Sequence, residues 1–437
     1  MAVKVGLLGL GTVGTGTAKI LLNSQGRHPL LQEITIGKVG VRSLDKPREV
    51  LFPPEVITTD LGAIVTDPEI DIVVELIGGI EPARTFILQA ISNGKHVVTA
   101  NKAVIAKHGD EIYTAANQAG VYVLLEAAVC GGIPVIKPLK QSLGVNRITK
   151  VLGIVNGTTN YILTRMTQEG ADFDDVLSQA QQLGYAEADP TADVDGLDAA
   201  DKITILASLA FGGRVKRSDV HCEGIRQVSA ADIAYADKLG FVIKLLAIAQ
   251  KDPNSNTDYL DLRVHPTLVP KQHPLASING VNNAILVAGE PLGQVTFSGP
   301  GAGEGATASA VVSDILNIVA ALKTEGVSDA REHKIINPLL SCSHQDYCKI
   351  QPMEELVTRF YARFLCGDSP GVIGHLGTCF GKHNVSLESV VQIGFQDDLA
   401  EVVVVTHDVQ EGNFRQALTE ICTGSEIRSV ATTLRVL

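Results

Sequence analysis

Residues 9–14 read Gly-Leu-Gly-Thr-Val-Gly, directly behind the apolar run 4–9 and directly ahead of a helical pattern that reaches Leu22. A strand that meets three glycines at this spacing and turns at once into a helix has few alternatives. Gly9 permits a tight turn, Gly11 lets backbone approach a pyrophosphate, and Gly14 allows close helix–strand packing. Leu10, Thr12 and Val13 bring their amides to the helix N-terminus. This context turns a weak motif into a dinucleotide-site prediction. A second strand over 34–41 ends at Arg42, with Lys46 and Arg48 soon after. A basic side chain there suits a ribose 2′-phosphate, so NADP is preferred, while Asp45 leaves NAD open. A strand over 71–77 runs into Gly78-Gly79, a helix over 82–92 follows, and a strand over 95–99 leads to Asn101-Lys102. Another strand is expected over 122–126. Strands alternating with helices predict a doubly wound α/β sheet. Ligands bind beyond the carboxyl ends of such strands, which places Gly78 and Lys102 near the nicotinamide.

The second constraint is Tyr185–Lys202, YAEADPTADVDGLDAADK. It packs Glu187, Asp189, Asp193, Asp195, Asp198 and Asp201 into eighteen positions. The run that follows, 203–211, is apolar nearly all round, which predicts a buried helix. Asp198 and Lys202 are four residues apart and share a helix face. The helix dipole disfavours the charged lysine there and the carboxylates favour it, a balance that suits proton transfer. The plainer alternative is a solvated acidic loop.

Composition narrows the class. Aromatics make up 4% of the chain and Trp is absent, so stacking platforms for single-stranded nucleic acid are not expected. The net charge of −12 opposes phosphate backbones and anionic membranes. No run approaches the length of a membrane span. Seven cysteines without C-x-x-C or zinc-type Cys/His spacing fit reduced thiols in a cytoplasmic protein. Cys130, in the small-residue loop 126–134, is the one thiol that could serve as a nucleophile beside a nicotinamide. A buried apolar role is the alternative.

From residue 150 the pattern changes to a mixed α/β domain, with strands over 150–154, 259–264 and 283–288 and helices over 161–169 and 173–183. A second glycine-rich loop, 298–303, precedes a helix over 306–322 that returns to the first domain. Residues 331–352 read as a polar linker. Beyond it, β-α-β-β-α-β over 358–436 predicts a ferredoxin-like unit.

Taken together, GLGTVG (9–14), VVELIGG (73–79), TANKA (99–103), EAAVCGGIP (126–134), GIVNGTTNYIL (153–163), LGYAEADPTADVDGLDAADK (183–202) and GPGAG (299–303) resemble homoserine dehydrogenase, in its longer bacterial form with a C-terminal ACT domain. The likeness spans essentially the whole chain. It implies a Rossmann NAD(P) domain at 1–130 completed by helix 304–330, a substrate and dimerisation domain at 131–303, a linker at 331–352 and an ACT domain at 353–437. It implies interconversion of L-homoserine and L-aspartate 4-semialdehyde, in the biosynthesis of threonine, methionine and isoleucine. Lys202 is then the proton donor and acceptor and Lys102 its helper. Glu187 and Asp198 would hold the substrate ammonium, with Tyr185 and Asp193 lining the pocket. Gly184 and Gly303 would touch the cofactor. Glu126, Val129, Gly131 and Ile133 match a monovalent-cation loop (Na+ or K+) built mostly from backbone carbonyls. Asp368, Pro370, Gly371 and Val372 match an amino-acid effector loop, with threonine the implied effector. A homodimer or homotetramer is expected. Cys130 and Glu304 stand where the family pattern carries other residues.

Overall fold

The computed structural model describes residues 2–251, 258–324, 337–342, 344–396, 398–424 and 426–437. The expected end of the long helix, 325–330, and part of the expected linker, 331–336 and 343, lie outside the described residues. The chain forms two compact units. The first is Met1–Val151, Asp201–Arg217 and Asn283–Cys348; the second is Leu152–Ala200, Ser218–Asn282 and Lys349–Leu437. The stretch expected as a single substrate domain, 131–303, therefore divides between the units, because the chain passes from one to the other and back.

The N-terminal elements are β1 (Val3–Leu8), α1 (Thr12–Leu22), β2 (Ile34–Gly40), β3 (Ile57–Thr58), α2 (Leu61–Thr66), β4 (Ile72–Glu75), α3 (Ala83–Ser92), β5 (His96–Thr99), α4 (Lys102–Ala119) and β6 (Val123–Leu124). Their strands form one parallel sheet in the order β3-β2-β1-β4-β5-β6, the doubly wound Rossmann order. Residues of β4 and β5 are all buried, as strands covered by helices on both faces must be. The strand order reverses between β1 and β4, so the loops after these two strands flank the crevice where such sheets bind ligands.

The chain continues through α5 (Ile136–Lys140), β7 (Arg147–Ile154), α6 (Gly157–Glu169), α7 (Phe173–Gln182), α8 (Thr191–Val194), α9 (Leu197–Phe211), β8 (His221–Cys222), α10 (Ala230–Lys238), β9 (Phe241–Gln250) and β10 (Tyr259–Pro270). It then forms β11 (Asn282–Glu290), β12 (Gly293–Pro300) and α11 (Glu304–Thr324). Helix α11 is long and apolar enough to cross a membrane, yet Val311, Ile315, Ile318 and Val319 sit fully buried in the core of the first unit. It packs on α1 at Gly16, where an added Cβ would lie 2.9 Å from Glu304 O and 3.0 Å from Ala308 Cβ. Glu304 also pairs with Lys19 of α1 at 2.7 Å, which gives this unusual residue a structural use.

Part of the expected linker is docked on the first unit. Asn337 N donates to Tyr122 Oη, Lys140 Nζ to Leu340 O, and Arg214 Nε to His344 O.

The C-terminal elements are β13 (Lys349–Ile350), β14 (Val357–Cys366), α12 (Val372–Lys382), β15 (Leu387–Gln396), β16 (Leu399–Thr406), β17 (Val409–Gln410), α13 (Glu411–Ile421) and β18 (Ile427–Val436). Sheet order β18-β14-β16-β15 with two crossing helices is the ferredoxin-like arrangement. This module is part of the second unit rather than a separate body. Its last strand extends the antiparallel β9–β10 pair by parallel pairing of β18 with β10 (Thr267 with Arg435, Leu268 with Val436).

A buried cluster completes that junction. Arg363 on β14 donates from Nε to Asp232 Oδ1 at 2.7 Å and from Nη1 to Glu401 Oε1 at 2.7 Å. Tyr361 and Thr432 also donate to Asp232, which is wholly buried. Removing the one cation would strand two buried carboxylates. Arg363→Met is expected to lower stability by about 3–5 kcal/mol, measured from urea unfolding. The triple change with Asp232→Asn and Glu401→Gln should recover most of that loss; a single variant as stable as the parent would contradict the account.

Candidate functional site

In the first unit, the glycine loop leaves β1 with Gly9 at φ +108°, the left-handed region that glycine tolerates. Gly14 has no room for a side chain, since a Cβ would lie 2.2 Å from Gly9 O. Gly11 is the opposite case: nothing lies within 4 Å of its built Cβ. Helix α1 starts at Gly11 with no side-chain cap. An open, uncapped helix N-terminus fits a pyrophosphate, whose oxygens would take the amides of Thr12, Val13 and Gly14. Leu10 and Val13 are half-buried beside it.

Arg42 is exposed just past the end of β2. The loop behind it is tied by Arg48, which donates to Leu44 O, Lys46 O and Ser43 O. That tie shapes the loop that follows the strand end.

The loop after β4 is set by Glu75, a fully buried carboxylate that sequence reasoning passed over. Its Oε1 accepts from Ile77 N at 2.9 Å and Gly78 N at 3.3 Å, and its Oε2 accepts from Thr99 Oγ1 at 2.7 Å. Gly78 and Gly79 both take positive φ. Asn101 caps α4 through Val104 N and donates to Gly79 O at 2.7 Å, so Lys102 stands at the first turn of α4 beside this loop. Gly303, at φ +120° with open space at its Cα, precedes α11.

The 126–134 loop folds around two successive left-handed residues, Cys130 (φ 54°) and Gly131 (φ 42°). It packs on the second glycine loop: Gly132 N donates to Pro300 O, and a Cβ on Gly131 would lie 2.6 Å from Gly301 O. The Cys130 thiol is 1% exposed and lies 3.5 Å from Asn283 Nδ2. An amide at the thiol and almost complete burial suit a packed side chain better than a nucleophile. The Glu126 carboxylate is spent on α5, accepting from Val135 N, Ile136 N and Lys137 N at 2.6–3.0 Å. A cation held here would therefore rely on main-chain carbonyls of Glu126, Val129, Gly131 and Ile133.

Asp314 of α11 accepts from Glu126 N at 2.7 Å, with Lys137 Nζ 3.4 Å away. Burial pushes its carboxyl up to about 7, despite the pull of Lys137. Nothing in the sequence marks Asp314, because its partner lies 188 residues away.

In the second unit, α6 begins at Asn156, whose Oδ1 accepts from Thr159 N at 2.8 Å and Thr159 Oγ1 at 3.0 Å. Its Nδ2 donates to Asp193 Oδ1 at 2.7 Å and to Asp198 Oδ2 at 2.8 Å. One amide thus caps a helix and bridges two of the expected substrate carboxylates. Tyr185 packs its ring 4.9 Å from that of Tyr161, and its carbonyl accepts from Thr158 Oγ1. Glu187 is exposed, as are Tyr185 and Gly184, the last at φ +75° with nothing within 4 Å of a Cβ. Asp198 is 7% exposed; Lys202, one turn further along α9 and grouped with the first unit, is 9% exposed. The acidic stretch is therefore not a uniformly solvated loop. Its head, 185–189, is mostly exposed, whereas its end enters a buried helix.

In the C-terminal module, Asp368, Pro370 and Gly371 (φ +104°) are exposed and Val372 buried at the start of α12. The loop lines a cavity of about 200 Å³ with Gln392, Ala400 and Val402.

A parallel sheet with an open glycine loop at its order reversal defines a dinucleotide-binding α/β enzyme. Comparison with known proteins makes this specific. Residues 9–126 match the family model "Homoserine dehydrogenase, NAD binding domain", and residues 134–316 match "Homoserine dehydrogenase". The homoserine dehydrogenase of Synechocystis sp. is 69% identical over 437 residues, covering 100% of both chains. That of Bacillus subtilis is 40% identical, covering 100% of this chain and 98% of its own. Among solved structures, a homoserine dehydrogenase from Thiobacillus denitrificans superposes with a TM-score of 0.89 at 42% identity, covering 100% of this chain and 98% of that one. A hyperthermophilic archaeal homoserine dehydrogenase in complex with NADPH has a TM-score of 0.62 at 27% identity, covering 73% of this chain and 98% of its own. The chain belongs to the homoserine dehydrogenase family of oxidoreductases.

Asp314 generates a pH prediction. Its folded pKa of about 7 lies above the ordinary 3.8, so between these values the native state holds a proton that the unfolded chain has lost. Stability should fall as pH rises through that window, by up to about 1.4 kcal/mol per unit, and level off above it. Urea midpoints across the window should show a shallower slope in Asp314→Asn; parallel curves for the two proteins would contradict the assignment.

Proposed function

We propose that this protein catalyses reversible hydride transfer between L-homoserine and L-aspartate 4-semialdehyde with NADP, or less readily NAD, serving threonine, methionine and isoleucine biosynthesis. The observation that carries the reading is the Asn156 bridge between Asp193 and Asp198, one helical turn before buried Lys202. Clustered carboxylates on the substrate side suit an α-ammonium, which a simple hydroxy acid lacks. When bound, the oxidised nicotinamide accepts the hydride from C4.

Lys202, as the neutral amine, takes the C4 hydroxyl proton as the carbonyl forms, and returns it in the reverse direction. Burial and the dipole of α9 favour the neutral amine, while Asp198 on the preceding turn favours its protonated partner. Lys102, at the N-terminus of α4, assists next to the nicotinamide. Glu187 and Asp198 receive the ammonium, and Tyr185 and Asp193 line the pocket. Arg42 takes the 2′-phosphate of NADP, Gly9–Gly14 and Gly78 cradle the dinucleotide, and Gly184 and Gly303 close on it where their open Cα positions leave room. A monovalent cation at the carbonyls of Glu126, Val129, Gly131 and Ile133 would hold the 126–134 loop in shape.

The ferredoxin-like module serves as an ACT domain, with Asp368, Pro370, Gly371 and Val372 binding an amino-acid effector, threonine by the pathway logic of end-product control. The enzyme works as a homodimer or homotetramer in the cytoplasm. Its net charge of −12 opposes binding to nucleic acid and anionic membranes.

Lys202→Ala should lower kcat for NADPH oxidation with aspartate 4-semialdehyde by about 10²-fold or more, with KM changed far less. Lys102→Ala should cost less in kcat. Full activity in Lys202→Ala would move proton transfer elsewhere.

A further inference from the structure

Within the second unit, a cavity of about 410 Å³ opens where the 223–228 loop, α13 and β18 meet. None of the effector-loop residues 368–372 lines it. Its floor is apolar: Phe360 stacks on Phe414 at 4.0 Å between centroids, with Leu418 and Leu434 alongside. Its rim is charged. Arg435, nearly fully buried, is saturated by Glu411 and Glu223 and acts as a fixed tie. Arg415 and Arg226 are different. Arg415 places Nε and Nη2 on Glu411 Oε1 and Arg226 places Nε and Nη2 on Asp195, while their side chains stay 58% and 45% exposed. In each, Nη1 makes no hydrogen bond among the described residues, and both side chains line the cavity.

Two guanidinium groups with donors in reserve, an aromatic floor, and the part-exposed carboxylates of Glu223 and Asp195 define one ligand chemistry. One Nη1 group from each arginine can give a charge-assisted hydrogen bond to a shared carboxylate, and an aliphatic side chain would cover the Phe414–Leu418 floor. The volume falls within the range of small-ligand pockets. We propose that this cavity binds a small aliphatic α-amino acid. Its carboxylate goes to Arg226 and Arg415, its ammonium to Glu223 or Asp195, and its side chain to the floor.

The same cavity wall is fixed to the acidic stretch. Ile225 N donates to Val194 O at 2.8 Å, and the Cys222 thiol donates to Asp195 O at 3.3 Å. Gly224 sits so close that a Cβ would lie 2.3 Å from Val194 O. A ligand that draws Arg226 from Asp195 therefore shifts the segment that carries Asp193 and Asp198. Binding is independent of the proposed reaction; its effect on substrate affinity rests on that reading.

Calorimetry on the full-length protein with L-valine as probe tests this, with isobutylamine as the analogue lacking a carboxylate. L-Valine should bind and isobutylamine should not. Arg415→Met and the cavity-filling Leu418→Trp should each weaken L-valine binding at least about tenfold while unfolding at the parent temperature. Arg226→Gln provides a second donor variant should either misfold. Asp368→Asn, in the effector loop, should leave binding intact, and L-valine should raise KM for homoserine in the parent but not in Leu418→Trp. Absence of L-valine binding to the parent, survival of binding in the pocket variants, or its loss in Asp368→Asn would overturn the proposal. A parent that binds L-valine with no change in KM would overturn only the coupling.

Discussion

Two carboxylates in a poorly solvated place repel each other unless a donor stands between them. Here that donor is the Asn156 amide, which bridges Asp193 and Asp198 while its oxygen caps α6. The capping bond fixes which way the amide faces, so its nitrogen has one orientation and the two acids one spacing. The acidic part of the candidate site is built on this arrangement. Asp198 lies in the first turn of α9, and α9 carries Lys202 one turn on. An Asp at position 156 would put a third negative group where the arrangement needs a donor.

The same economy recurs in the first unit. Glu75 organises the loop of Gly78 and Gly79, and the Glu126 carboxylate organises the start of α5. Each is a buried acid that accepts backbone N–H groups and so fixes the local chain. Gly9 and Gly14 serve by what they leave out: side chains at either would close the turn that Gly11 keeps open. At the C-terminal module, β14 is tied to the rest of the unit by the buried pair Arg363–Asp232, and β18 by buried Arg435 with the part-exposed Glu223.

Much of this was legible from residues alone. The glycine loop, the buried parallel strands and the β-α-β-β-α-β end are local patterns, and they match the observed elements to within a few residues. The strand β9, FVIKLLAIAQ, was not foreseen, because a continuous apolar run of that length reads equally as buried helix or strand. The change of pattern at residue 150 and the return of the helix over 306–322 anticipated two of the crossings between the units, but the passage of 201–217 into the first unit was hidden because it begins inside one continuous helix, α9. Lys202 and the acids before it stood out by density. Asn156, Glu75 and Asp314 did not, because the partners that give them meaning lie 24 to 188 residues away.

The central claim is that the acidic pocket recognises an α-ammonium. It is tested most directly by comparing kcat/KM for L-homoserine and for 4-hydroxybutyrate, the same molecule without its amino group, in the parent and in Asp198→Asn. One charge-assisted hydrogen bond is worth about 1.5–3 kcal/mol, so the parent should prefer homoserine by at least about tenfold, and Asp198→Asn should lose most of that preference. An unchanged preference in the variant would contradict the account.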